Sequence, residues 1–241
     1  MTYQWHWQVL FQQPYLGWFL TGIQWTLAIS LVAYGLALVL GIAVGVTSTV
    51  DNTLSRSAAR AYVTLFRSVP LLVQLFLWYF VVPELLPATL GHWLKRDLHN
   101  PEYWTTAIGL GLFMSARIAE QIRAAIGACS PGLAKAATAQ GLSVRQVYQY
   151  IVLPVSLRYA LPTLTSELLN TIKNSSLAMT IGMLELTGQS RQVEAYTFKG
   201  IEAFTAATAL YILMSLLVIL LGRQLEQRFE IPGMLRRSRR R

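Results

Sequence analysis

Arg117 lies halfway along the stretch AIGLGLFMSARIAEQIRAAIG, which is apolar in its first half and then carries Glu120 and Arg123. A guanidinium presents a planar fork of N–H donors that matches a carboxylate. Placed among apolar residues it is costly unless paired or hydrated, so it is a functional candidate. Two fates are open to it: recognition of a carboxylate on a solute, or an internal pair with Glu120 at i, i+3. Glu120 can pair with Arg123 instead, which would leave Arg117 free. A second constellation lies at Glu167, Asn170, Thr171 and Asn174. Their spacing of i, i+3, i+4 and i+7 puts all four on one helical face, and Ser175 follows. Such a face can line a hydrated path for a polar solute, or form a hydrogen-bonded seam between helices. Lys173 is about 100° off that face and is available to a neighbouring subunit. Asn174 and Ser175 suit an amide as well as a carboxylate.

No catalytic constellation accompanies these residues. The single cysteine, Cys129, permits no intrachain disulfide. His6, His92 and His99 fall outside the apolar stretches, and no Cys/His cluster suggests a metal. There is no G-x-x-x-x-G-K-[ST] phosphate loop, no H-E-x-x-H and no nucleophile–base–orienter set.

The elements that must hold these groups are membrane helices. Of 241 residues, 54% are hydrophobic and 13% charged, against about 25% charged in soluble domains. Intrinsic disorder is excluded by the same composition. A crossing needs roughly 20 apolar residues. Five spans are expected, at about 22–48, 61–82, 104–127, 159–182 and 203–224, in a single all-α domain covering 1–241. The middle three carry ionisable groups: Arg67, then Arg117, Glu120 and Arg123, then Glu167 and Lys173. Gly41 and Gly45 form a G-x-x-x-G in the first span, read as close helix packing. Arg67, before Ser68-Val69-Pro70, is placed toward the cytoplasmic end as a snorkelling or inner-gate residue. Glu185 and Gln189 are expected at the outer mouth, as a gate or as loop packing. The first 50 residues lack Lys and Arg, so no secretory signal peptide is expected.

The formal net charge is +9, which raises nucleic acid as a partner until the charges are located. Odd-numbered loops are basic, with Arg56 and Arg60, then Arg123, Lys135, Arg145 and Arg158, whereas the even loops are balanced by Glu and Asp. The tail adds Arg236, Arg237, Arg239, Arg240 and Arg241. Positive charge marks the cytoplasmic side, so the N-terminus is expected outside and the C-terminus in the cytoplasm. Trp5, Trp7, Trp18, Trp25, Trp93 and Trp104 suit an outer aromatic belt. The tail then reads as an anchor to anionic lipid rather than an RNA-binding arm.

The third loop, about 130–158, is too long to be idle. Pro131 can open a helix through Leu133–Gln140, and Gly141 can end it in a left-handed cap. Ser143 with Gln146 forms a capping box for a second helix, with Val147, Ile151 and Val152 apolar and Pro154 ending it. An amphipathic hairpin lying on lipid is the alternative.

This loop carries a resemblance. Lys135-Ala136-Ala137, three residues, Gly141, nine residues, Ile151, one residue and Leu153-Pro154 match the spacing of the EAA loop. The stretches AATAQGLSVRQVYQYIVLP, LFRSVPLLVQLFLWYF and IKNSSLAMTIGMLELTGQ are similar to membrane permease subunits of bacterial ABC importers for polar amino acids. The resemblance runs from Gly22 to the fifth span. It implies the type I ABC importer permease fold in the bacterial inner membrane. It also implies a separate dimeric ATPase that holds ATP and magnesium, a second permease subunit, either a homologous heterodimer partner or a second copy, and a periplasmic amino acid-binding protein, with no cofactor in this chain. The coupling residues implied are Lys135, Ala136, Ala137, Gly141, Leu142, Ile151, Leu153 and Pro154, with Lys135 departing from the family's usual Glu. At Arg117, and at Asn174 where relatives for cationic solutes have Asp, the chain resembles the glutamate/aspartate permease subunits. The stretches ARIAEQIRAAI and WYFVVPELLP do so too. Arg117, Glu120, Glu167, Asn170, Thr171, Asn174 and Ser175 are then the candidate solute residues. Glutamine or asparagine is the fallback solute. An ion-coupled secondary transporter is the competing class, but such proteins carry internal repeats and none is evident.

Overall fold

The computed structural model describes residues 3–129 and 131–229. Among these the chain is helical, with no strand. The arginine-rich tail read as a lipid anchor lies outside the described residues.

Helix α1, Tyr15–Thr47, has 33 residues and is about 50 Å long, well beyond the roughly 30 Å hydrocarbon core. It starts directly after Pro14, a full two turns before the expected boundary. One face is a stripe of small residues, Ala33, Ala37, Gly41 and Gly45, and is buried. The other carries Leu31, Val32 and Val39, which are exposed. Asn52 caps α2, Thr53–Ser68, by accepting from the N–H groups of Leu54 and Ser55.

The second expected span is not one straight helix. The chain turns by 98° between α2 and α3, Leu71–Leu85. Pro70 has no N–H to donate, and its ring forces Val69 into an extended conformation (φ −105°, ψ 130°). The carbonyls stranded at the end of α2 are served by a side chain. Gln74 Nε2 donates to Phe66 O at 2.7 Å and to Val69 O at 2.8 Å. Arg67, in the last turn before the bend, is exposed.

Helix α4, Pro101–Ala128, packs along α1 over most of its length. The glycines permit this. A Cβ on Gly41 would lie 2.6 Å from Ile118 Cγ2 and 2.9 Å from Ser115 O; one on Gly45 would lie 2.8 Å from Ala119 O. The G-x-x-x-G is therefore a backbone-to-backbone seam.

The helical hairpin expected from sequence is present, with its first helix a little earlier. Helix α5, Pro131–Ala139, ends in a Schellman motif. Gly141 sits at φ 88°, its N–H donating to Thr138 O and that of Leu142 to Ala137 O. Ser143 and Gln146 form the capping box of α6, Val144–Val147. Pro154 does not end the hairpin's second helix. A wide π-type turn, Tyr148–Val152, leads straight into α7, Leu153–Asn174, with Pro154 in its first turn. The widened turn, with the Leu153 N–H donating to Tyr148 O, makes room for a residue that has no N–H to give. Ala137, Val147 and Val152 are buried together, with Leu142 and Ile151 packed against them. The Tyr148 hydroxyl, 3.3 Å from Thr49 O, ties the hairpin to the end of α1.

α7 tightens after Asn174 into a 3-10 turn, Ser175–Ile181, and Gly182 at φ 95° redirects the chain. Helices α8, Leu186–Thr197, and α9, Gly200–Arg228, follow. α9 exposes Ile212, Leu213, Leu216, Leu217, Leu220 and Leu221. By length and apolarity α1 and α9 can cross a membrane, as can α2 with α3 if the bent pair is one span. α4 and α7, with 28 and 22 residues, are long enough but carry the ionisable groups. Trp5, Trp7, Trp93 and Trp104 are exposed, whereas Trp18 packs on Tyr15 and Tyr196, and Trp25 on Tyr103.

Candidate functional site

Arg117 comes from the middle of α4 and Glu167 from the middle of α7. They meet in a side-on bidentate pair. Nε donates to Oε2 at 2.8 Å and Nη2 to Oε1 at 3.0 Å. Gln121, one turn beyond Arg117 on the same face of α4, donates from Nε2 to Glu167 Oε1 at 2.6 Å. The pair is asymmetric in burial: the Glu167 side chain is 4% exposed and that of Arg117 is 39%. Nη1 of Arg117 donates to no described residue.

The pair with Glu120 does not form. Glu120 is held by Arg123 at 2.7 Å, the arrangement that leaves Arg117 to another partner. That partner is Glu167, a member of the polar face. Asn174 lies one step further out, its Nδ2 4.0 Å from Met114 Sδ.

The remaining polar residues divide by exposure. Thr171 and Ser175 are fully buried, and their hydroxyls donate back to Glu167 O and Ile172 O. Asn170 and Asn174 are half-buried, and the Asn170 side chain is not hydrogen-bonded to any described residue. Lys173 is exposed with no ion pair among the described residues. Gln121 was not singled out from sequence, although its i+4 spacing from Arg117 was the available signal.

In the hairpin, Lys135, Ala136, Gly141 and Pro154 are exposed, Leu142, Ile151 and Leu153 are half-buried, and Ala137 is buried. Glu185 and Gln189 are packed inside, 0% and 5% exposed, so the loop-packing reading describes them. Glu185 caps α8 by accepting from the N–H groups of Thr187 and Gly188, both at 2.9 Å. It also accepts from Tyr211 of α9 at 2.7 Å and Thr26 of α1 at 3.4 Å.

A helical bundle with two or three helices able to cross a membrane, charged groups meeting between α4 and α7, and a capped hairpin has the architecture expected of a membrane transport component. The family model for binding-protein-dependent transport system inner membrane components matches residues 37–231, and the chain belongs to that family. It is 39% identical to the glutamate/aspartate import permease protein GltJ of Escherichia coli (strain K12), over 97% of this chain and 98% of that one. To the glutamine transport system permease protein GlnP of the same strain it is 28% identical, over 95% and 99%. Among solved structures, an amino acid ABC transporter determined with histidines superposes with a TM-score of 0.78 at 26% identity, covering 95% of this chain and all of that one. The chain is thus a permease subunit with the type I ABC importer fold, an inner-membrane transport component rather than an enzyme.

Proposed function

We propose that this chain forms part of the translocation path for an acidic amino acid, glutamate or aspartate, with Arg117 receiving the solute carboxylate. The observation that carries this reading is a guanidinium in the middle of the 28-residue helix α4, 39% exposed and with Nη1 uncommitted. The likeness to GltJ supports it. The chain crosses the membrane five times, with its N-terminus outside and its C-terminus in the cytoplasm. Asn170 and Asn174 face the path beside Arg117. Glu120, Thr171 and Ser175 shape it from behind, and Lys173 faces the second permease subunit, a homologous chain. The half-buried amides of Asn170 and Asn174, with the likeness to GlnP, favour glutamine or asparagine as the second reading.

Arg117→Ala is expected to lower uptake of the acidic solute by the assembled importer roughly tenfold to a hundredfold. That is the size of one or two charge-assisted hydrogen bonds. Solute-stimulated ATP hydrolysis should fall with it, at unchanged expression. Normal uptake in that variant would remove Arg117 from solute recognition. Transport driven by an ion gradient without any ATPase subunit would overturn the importer mechanism itself.

The hairpin of α5 and α6 docks on a separate ATPase that holds ATP and magnesium, while a periplasmic binding protein delivers the solute from the other side. Gly141 is the turn of the docking element. Gly141→Val forces a β-branched residue into the left-handed region, at about 1–2 kcal/mol. It should weaken recovery of the ATPase in pull-downs while membrane insertion stays intact. An unchanged pull-down rejects the role.

A further inference from the structure

We propose that Glu167 is a positioning residue, not a solute ligand: with Gln121 it clamps one edge of the Arg117 guanidinium and aims the opposite edge at the solute. The inference rests on the reading of Arg117 given above. A guanidinium has five N–H donors. Glu167 takes Nε–H and one N–H of Nη2. Both N–H groups of Nη1 and the second of Nη2 remain; the latter and one of the Nη1 pair lie parallel and make the end-on fork of the same cation. The exposed part of Arg117 belongs to a side chain whose clamped edge is covered, because Glu167 is 4% exposed. A carboxylate so enclosed, already accepting from Arg117 and Gln121, has no surface to offer a solute.

The clamp has two consequences. An unpinned arginine is long and flexible and turns its head toward the nearest water. Pinned from α7, it holds one orientation, so the end-on fork distinguishes a carboxylate, which accepts two parallel bonds, from an amide, which accepts one. Glu167 also cancels the charge of Arg117, so the anion is oriented without being trapped. A transport site needs that balance, because whatever enters must leave.

The test is uptake by the complete importer in membrane vesicles, with one binding protein throughout. The KM for the acid and for its amide is measured in each variant. Glu167→Gln uncovers the charge of Arg117 but lets its fork swing. The loss of one of the two parallel bonds to the acid outweighs the added attraction, so the acid KM should rise severalfold, less than the roughly tenfold of a full charge-assisted bond, and the amide KM should stay near its original value. Preference for the acid then collapses while the maximal rate is largely kept. Glu167→Asp should recover part of the preference. Gln121→Leu keeps the ion pair but removes its brace, and should shift the preference the same way, about threefold. It decides the matter if Glu167→Gln does not accumulate in the membrane. A role limited to holding the bundle together would change protein yield or maximal rate and leave the preference untouched; that result overturns the proposal. Arg117→Lys reports separately on the underlying reading. Undiminished acid uptake there removes the carboxylate site itself, whereas impaired Arg117→Lys with unchanged Glu167 and Gln121 variants removes only the positioning.

Discussion

Gly41→Leu is expected to yield no stably folded protein. Even the first added carbon would meet Ile118 at 2.6 Å and the backbone oxygen of Ser115 at 2.9 Å. A side chain could rotate away from the first contact, but a carbonyl oxygen inside α4 cannot move without the helix. α1 must then lift from α4, and the faces of Ile29, Ala33 and Ala37 on one side and Leu110, Met114 and Ile118 on the other part company, all of them 0% exposed. Overpacking typically costs about 1–3 kcal/mol. Separation of the longest contact in the bundle should reach at least the upper end, a large fraction of total stability. The measurement is thermal unfolding in detergent with the yield of monodisperse protein. Gly35→Leu is the control, because Gly35 has open space beside it. Ile118→Ala should rescue Gly41→Ala only slightly, since it removes Cγ2 but leaves the Cβ at position 118, 2.7 Å away, and Ser115 O. Equal stability of the Gly35 and Gly41 variants would refute the seam.

Glu185→Ala should be nearly as damaging. Its carboxylate joins three helices through Thr26, Tyr211 and the first turn of α8. Alanine removes the cap and strands a buried Tyr hydroxyl, a loss of about 2–4 kcal/mol. Glu185→Gln keeps an acceptor and should cost far less. The two variants also differ with pH. Burial pushes the Glu185 carboxyl above the ordinary carboxylate range, against the downward pull of its hydrogen bonds to Thr187, Tyr211, Gly188 and Thr26. The folded protein therefore holds this proton more tightly than the unfolded chain does. The resulting stability is complete below the ordinary carboxylate range and is lost as pH rises through the raised value. Glutamine has no proton to release, so melting temperature should fall less steeply with pH in Glu185→Gln than in the natural protein. Parallel slopes would show that Glu185 is charged throughout.

How far the sequence disclosed these features depended on range. Local chemistry was legible. The Ser143–Gln146 box and the Gly141 cap involve residues a few positions apart, and Gly41 and Gly45 announced close packing by their size. Arg117 stood out by its charge. Its partner did not, because which residue of α7 comes opposite it depends on how far α4 and α7 slide past each other. That offset follows from where each helix begins, and Pro154, read as a terminator, in fact opens α7. The bend at Val69–Pro70 was masked by apolar continuity on both sides, although the proline carried the signal. Glu185 was visible only as a loop carboxylate, since its hydroxyl partners, Thr26 and Tyr211, come from helices far away in sequence.

The glycine seam also sorts which parts of the bundle can change shape. α1 and α4 approach so closely at Gly41, Gly45 and Gly111 that the Ile118, Ile122 and Leu36 side chains between them have no room to change rotamer, so they behave as one laminated beam. α4 and α7 are joined at Arg117 by a long side chain that can release one partner and take another. The beam's C-terminal end on α1 is fastened to the hairpin by Tyr148 and Thr49. A push on the hairpin is therefore delivered as torque on a stiff plank, and the joint that slips is the one where the guanidinium sits.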